Sequence, residues 1–169
     1  MNKITAHIAG DQISSNSKEA INLHASKRFG EKDKDKIVYT FCEALYLLEE
    51  DQLEILDLKD KKLKKKQLLK RLLKSDKKVL LKLIVYKNLR KHGLVPKTAL
   101  KYGADFRIYR GKTGHSKWIC FVDSEKSSLN WQEFSSKSRV AHSTKKSLLL
   151  AIVDGENDTT YYEVNWKKL

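Results

Sequence analysis

The chain has 169 residues, enough for one ordinary domain or two small ones sharing an interface. Apolar residues make up 40%, so a core can form, and no apolar run approaches the roughly 20 residues that span a bilayer. The 35 Lys and Arg outnumber the 21 Asp and Glu and leave a formal net charge of +14, which points to a polyanionic partner, nucleic acid ahead of an anionic membrane surface, with a lysine-rich thermophile surface as the plain alternative.

The opening MNKITAHIAG is too polar for a signal peptide, so a soluble, cytoplasmic protein is expected. Residues 1–37 alternate short apolar stretches (ITAHIAG, QISS) with polar turns and predict short strands and loops. FCEALYLLEE, from Phe41 to Glu50, has apolar residues at helical spacing, and QLEILDL predicts a strand after it. Cys42 in that helix and Cys120 in WICFV are expected to be buried, reduced thiols. No CxxC or Cys/His pattern has zinc spacing. LKKKQLLKRLLKSD sets Leu68, Leu69, Leu72 and Leu73 on one helical face and lysines around the other. A helix packed on its own domain with a solvated lysine face is favoured over a membrane-surface or RNA-binding helix, since the run is short and has no aromatic anchor.

KKVLLKLIVYKNLRKHG predicts a second helix that stops at Gly93, with the only proline, Pro96, at the distance expected beyond a helix stop. The texture changes there, and two domains are expected, 1–88 and 89–169, with no flexible linker between them. DFRIY and KWICFV predict strands around the loop YRGKTGHSKW. Asn130 with Glu133 three residues on has the form of a capping box, and Trp131, Phe134 and Ala141 are expected on the buried face of the helix it starts. SLLLAIVD predicts a strand buried on both faces, GEND a turn and TTYYEVNW an alternating final strand. The fold class is α/β (α+β), with a small mixed-sheet domain in the second half.

Several chemistries are excluded by spacing. RGKT lacks the first glycine of a P-loop, because Phe106 stands in its place; no GxSxG elbow or HExxH helix occurs. Asp105, Asp123, Asp154 and Glu163 are scattered rather than clustered for magnesium, so no metal and no cofactor are expected. Tyr, His and Lys remain, and they suit RNA cleavage. The 2′-hydroxyl is an internal nucleophile, so the protein need only move protons and stabilise charge. An edge-strand tyrosine, a solvent-exposed loop histidine and one lysine of many are the plain alternatives for Tyr109, His115 and Lys146.

LKYGADFRIYRGKTGHS, with EALYLL and VYKNLRKHG before it and RVAHSTKKSLLLAIVDGENDTTYYEV after it, resembles the archaeal tRNA-intron (splicing) endonucleases from about residue 41 onward, and more loosely before it. The resemblance implies a small N-terminal α/β domain and a C-terminal nuclease domain with a restriction-endonuclease-like mixed sheet. It implies metal-independent cleavage of precursor tRNA at the intron–exon junctions (bulge-helix-bulge), leaving 2′,3′-cyclic phosphate and 5′-hydroxyl ends. The family's catalytic tyrosine, histidine and lysine fall on Tyr109, His115 and Lys146, whereas Lys145 matches a position that is often arginine. The Tyr109–His115 loop is a few residues shorter than in some relatives. Arg139 and Trp166 match positions that grip an extruded base, with a core or dimer-interface tryptophan as the alternative for Trp166, and Lys112 and Arg110 are phosphate contacts or solvated loop charges. Asp154, Glu156 and Asp158 match an acidic loop that docks on an opposing subunit, in a homotetramer or a heterotetramer with a structural paralogue. A non-catalytic RNA-binding or structural subunit is the alternative, against which the intact Tyr109, His115 and Lys146 speak.

Overall fold

A computed structural model describes residues 3–111 and 114–169. Two units divide the chain, Met1–Val79 and Leu80–Leu169, and together they form an α+β protein with two mixed sheets.

In the first unit, strands β1 (Ile4–Ala9), β2 (Gln12–Ser15), β3 (Glu31–Asp33), β4 (Lys36–Tyr39) and β5 (Leu53–Leu56) lie in the order β3-β4-β2-β1-β5. Only β1 and β5 run parallel. Alternation buries Ile4, Ala6, Ile8, Ile13, Ile37, Tyr39, Leu53 and Ile55, the period-two pattern of a sheet with one covered face. Helices α1 (Lys18–Lys27), α2 (Phe41–Glu49) and α3 (Lys65–Ser75) accompany it. Residues 1–37 were expected to hold strands and loops alone, and α1 corrects that. It buries only Ala20 and Leu23, so it writes no wide apolar stripe into the sequence; its legible marks are the Ser17 hydroxyl accepting from the Ala20 amide, Glu19 in the first turn and Lys27 in the last. Helix α3 packs Leu68 and Leu72 inward and leaves its lysines in solvent.

The end of α1 is tied to the start of α2 through one acid. Glu43 is fully buried. Its carboxylate accepts from the Thr40 amide (3.0 Å), the Thr40 hydroxyl (3.0 Å) and the Gly30 amide (2.9 Å), while Thr40 caps α2 in return. Gly30 has φ +70°, and a Cβ there would lie 2.2 Å from Ile37 Cγ2, so only glycine fits.

The second unit has helix α4 (Val79–Lys91), strands β6 (Leu94–Ala99), β7 (Ala104–Arg110) and β8 (Trp118–Ser124), helix α5 (Trp131–Ser143), and strands β9 (Ser147–Val153) and β10 (Thr159–Val164). The sheet order is β10-β9-β8-β7-β6. Only β8 and β9 are parallel, and α5 makes the crossover that such a pair requires. Strand β6 was not anticipated from the sequence. It is an edge strand, where Pro96 costs no ladder bond, and its proline masked it. Gly93, at φ +74°, ends α4 with its amide on the Arg90 carbonyl.

Strand register sends Phe106, Cys120, Ala151 and Tyr161 to one face and Ile119, Leu148 and Leu150 to the other. Helix α4 meets the first face: the Tyr86 and Phe106 rings are 6.1 Å apart, and the Tyr161 hydroxyl donates to Asn88 Oδ1 at 2.9 Å. Helix α5 covers the second with Ala141, Phe134 and Val140 against Ile119 and Leu148. Consecutive Leu148 and Leu149 are both buried, so β9 is covered on both faces where it begins. Cys42 and Cys120 are buried and neither is in a disulfide; burial, then the Asp105 charge, push the Cys120 thiol far up, which leaves it inert. Trp131 departs from its expected burial and is 83% exposed, edge-on to Phe134. It starts the helix about 60° around the axis from Phe134, past the rim of the covered face.

Among the described residues, no helix is long and apolar enough to cross a membrane.

Candidate active site

The internal parallel pair decides where side chains gather. Strands β8 and β9 start side by side, with Trp118 paired to Ser147, while β7 and β10 finish on either flank. The ladder runs on past the strands: the Lys117 amide donates to the Ile108 carbonyl at 2.8 Å and the Ser147 amide to the Lys117 carbonyl at 3.1 Å. Tyr109, Lys117, Lys146 and the chain after Val164 therefore stand in a row at one end of the sheet. Tyr109 and Lys146 lie two strand spacings apart, about 10 Å between backbones.

Helix α5 returns to the same end, where its exit shapes the site. The Lys145 amide bonds the His142 carbonyl and the Lys146 amide bonds the Ala141 carbonyl, both at 2.9 Å. This is a Schellman turn, with Lys145 in the left-handed position (φ +56°) where glycine is usual. The Lys146 ammonium then donates to the Thr144 carbonyl at 2.8 Å, which holds the side chain over the last turn and leaves two further donors.

A cavity of about 290 Å³ opens there, lined by Lys117, His142, Lys145, Lys146, Ser147, Asn165 and Trp166. Three ammonium groups and no carboxylate among these residues make it a place for an anion. The Trp166 ring is half-exposed and stacks on His142 with centroids 5.0 Å apart and planes 27° from parallel. Ser147 Oγ donates to Asn165 Oδ1, fastening the chain before Trp166 to the start of β9. Lys117 lies 4.4 Å from the centre of the Trp118 ring and 3.7 Å from Glu163 Oε1, and Arg110 stands 5.4 Å from the same ring.

Of the residues singled out in the sequence, Lys146 and Trp166 share this cavity. Tyr109 is outside the lining, nearly buried at the end of β7, with the Arg107 guanidinium 5.7 Å from its ring centre. His115 is exposed on the β7–β8 connection, which bends through Gly111 (φ +71°) and Gly114 (φ +93°). Arg139 is exposed on α5, one turn before His142. Lys112 lies outside the described residues. Asp154, Glu156 and Asp158 sit in the β9–β10 turn, at the opposite end of those two strands from the cavity. Asp154 Oδ1 accepts from the Glu156 and Asp158 amides at 2.9 Å each, so its charge is turned into its own loop.

Lys117, His142, Ser147 and Asn165 were not singled out. Their signal was positional: each is within two residues of a strand or helix end that the register brings to the same edge. Among the described residues no group of three His, Cys, Asp or Glu side chains is placed to hold a metal ion.

A lysine-lined cavity with a stacking ring, set on a mixed sheet with a helix on each face, has the chemistry of a nucleic-acid-binding α+β protein. Comparison with known proteins narrows this class. Residues 79–161 match the model of the tRNA intron endonuclease catalytic C-terminal domain, and residues 4–69 match that of the tRNA intron endonuclease N-terminal domain. The chain is 39% identical over 166 residues to a tRNA-splicing endonuclease of Pyrococcus horikoshii, covering 98% of this chain and 97% of that one. It is 36% identical over 169 residues to that of Methanococcus vannielii (98% and 96% covered) and 43% identical over 136 residues to that of Nanoarchaeum equitans (75% and 86% covered). The chain belongs to the tRNA intron endonuclease family.

Proposed function

We propose that this chain is the catalytic subunit of a tRNA-splicing endonuclease, which cuts precursor tRNA at its intron–exon junctions by metal-independent transesterification. The observation that carries the reading is the row at the end of the second sheet: Tyr109 and Lys146 come from strands two apart in register, and the loop bearing His115 joins the strand between them to β7. A phosphodiester seated between them meets three different groups. Tyr109 takes the proton of the 2′-hydroxyl as its oxygen attacks phosphorus. Lys146 stabilises the charge that builds on the pentacovalent phosphorus. His115 gives a proton to the departing 5′-oxygen. One P–O bond forms and one breaks, leaving a 2′,3′-cyclic phosphate and a 5′-hydroxyl.

Arg139 and Trp166 grip a base displaced from the bulge. His142 backs one face of the indole and leaves the other for stacking. Lys112 and the cavity lysines serve the phosphates. Two cuts in one precursor need two such sites at a fixed separation, so the chain works as an oligomer, a homotetramer or a heterotetramer with a structural paralogue. Glu156 and Asp158 carry the outward charge of the assembly loop, since Asp154 is turned inward.

The test is an intron-containing precursor incubated with purified protein in EDTA, beside the same RNA with a 2′-deoxy sugar 5′ of each cut. Cleavage of the first with cyclic phosphate ends, and none of the second at unchanged affinity, is the expected result. Cleavage of the deoxy substrate overturns Tyr109 as the base; cleavage only after a paralogous chain is added selects the heterotetramer, and failure to cut even then overturns the catalytic subunit.

A further inference from the structure

Helix α3 carries a feature that the cleavage chemistry leaves unused. Lys66, Lys70 and Lys74 are spaced four apart, so they form one row that winds slowly along the helix, about 6 Å and 40° from each to the next. All three are exposed, and none makes an ion pair among the described residues. Three neighbouring cations are engaged: Lys65 with Glu49, Lys62 with Glu54, and Arg71 with the Gly10 carbonyl and, at 3.9 Å, Asp11. No Asp or Glu occurs in α3. Like charges at this spacing destabilise a helix, so folding gains nothing from the row. Lys70, at its centre, is about 200° around the helix from both Leu68 and Leu72, and those leucines are 1% and 2% exposed. The row therefore points directly away from the packed face.

We infer that the row Lys66–Lys70–Lys74 binds the phosphate backbone of the RNA substrate, outside the cleaved bonds. The inference rests on the RNA substrate proposed above. Three ammonium groups in line at helical pitch suit successive phosphates of a strand, which such groups meet without reading sequence. A membrane fits poorly: Leu68 and Leu72 of the apolar face that would enter it are already packed, and the helix has no aromatic residue. An acidic protein surface is the remaining candidate, and the experiment separates it.

The experiment measures binding of the uncleavable 2′-deoxy precursor over a salt series. It compares the unaltered chain, the variant Lys66→Gln/Lys70→Gln/Lys74→Gln, and a control of equal charge loss, Lys18→Gln/Lys32→Gln/Lys34→Gln. Glutamine keeps helix propensity close to that of lysine. The row variant should bind more weakly at low salt, with the slope of log affinity against log salt reduced by about 2 to 3. The control should change the slope by less, and the row variant should melt no lower than the unaltered chain. An unchanged slope, or an equal change in the control, overturns the inference. A melting point that falls in the row variant makes the row structural and also overturns it. An unchanged slope with altered sedimentation means that the row meets an acidic protein surface instead of RNA. If the unaltered chain, alone or with a paralogous chain, cuts its natural precursor while the slope is unmoved, this inference fails alone; if it cuts in neither case, the proposed function fails with it.

Discussion

The two sheets are built to nearly the same plan, five strands with one parallel pair each, yet they use their polar side chains in opposite ways. In the first, the parallel pair β1–β5 lies at the edge, and the most committed polar group, Glu43, is buried on three donors. In the second, the parallel pair β8–β9 is internal, so two strand starts and a helix exit meet at one end and leave lysines, a histidine and an indole around an open cavity. Moving the parallel pair one place inward turns a sheet edge into a site. Glu43 is consumed by the fold, whereas the polar groups at the end of the second sheet stay open around the cavity.

The largest effect that could break this contrast is at Glu43. Changing it to Ala removes a partner from the buried Gly30 amide and from the half-buried Thr40 amide and hydroxyl. Each lost partner costs about 1–3 kcal/mol, so a loss of about 3 kcal/mol or more is expected in a denaturant titration. Glu133 occupies the same place in the Asn130 capping box of α5 but is exposed. Glu133→Ala should cost about 1 kcal/mol or less. Equal losses at the two positions would mean that burial does not separate them.

The next effect runs the other way. His115→Ala should lower cleavage roughly 100-fold or more, as removal of a general acid does, and leave the melting temperature within a degree or so of the original, because the ring is exposed and off the core. A variant that melts early but still cuts would put His115 with Glu43 among the structural groups.

Legibility follows the same division. The capping box at Asn130, helices α2 to α5, strands β7 to β10 and the helix stop at Gly93 were readable because their signals are local: apolar periodicity, a short polar cap, a glycine after a helix. Helix α1 was not, since a contact made by one alanine and one leucine leaves no stripe. Strand β6 was hidden by Pro96, whose tolerance depends on being at an edge, a property of the sheet and not of the segment. Tyr109, His115 and Lys146 stood out by residue type and by the family's motifs. Lys117, His142 and Asn165 did not, because their shared cavity exists only once β7, β8, β9 and β10 are in register. A lysine beside a strand start has no mark of its own in a chain with this many lysines.

The smallest effect is at Lys145, and it sharpens the contrast most. Its left-handed backbone (φ +56°) is awkward for any side chain with a Cβ, and the Schellman turn that it completes favours glycine. Were this turn only structural, lysine would be a poor choice for it. Its side chain, though, lines the cavity next to Lys146 and His142, and so adds positive charge where an anion is to sit. Lys145→Gly should therefore raise stability by up to about 1 kcal/mol, offset in part by the greater freedom of glycine in the unfolded chain. It should also weaken RNA binding several-fold and shave about one phosphate contact from the salt dependence. The same change in the first unit can be made at Lys34, whose left-handed backbone (φ +55°) lies in the β3–β4 turn. Lys34→Gly should give the stability gain without the loss of affinity. Calorimetry paired with binding to the uncleavable precursor reads both quantities at once. A gain in stability with no loss of affinity at Lys145 would place that residue with Lys34, as one more turn filled by an unfavoured side chain.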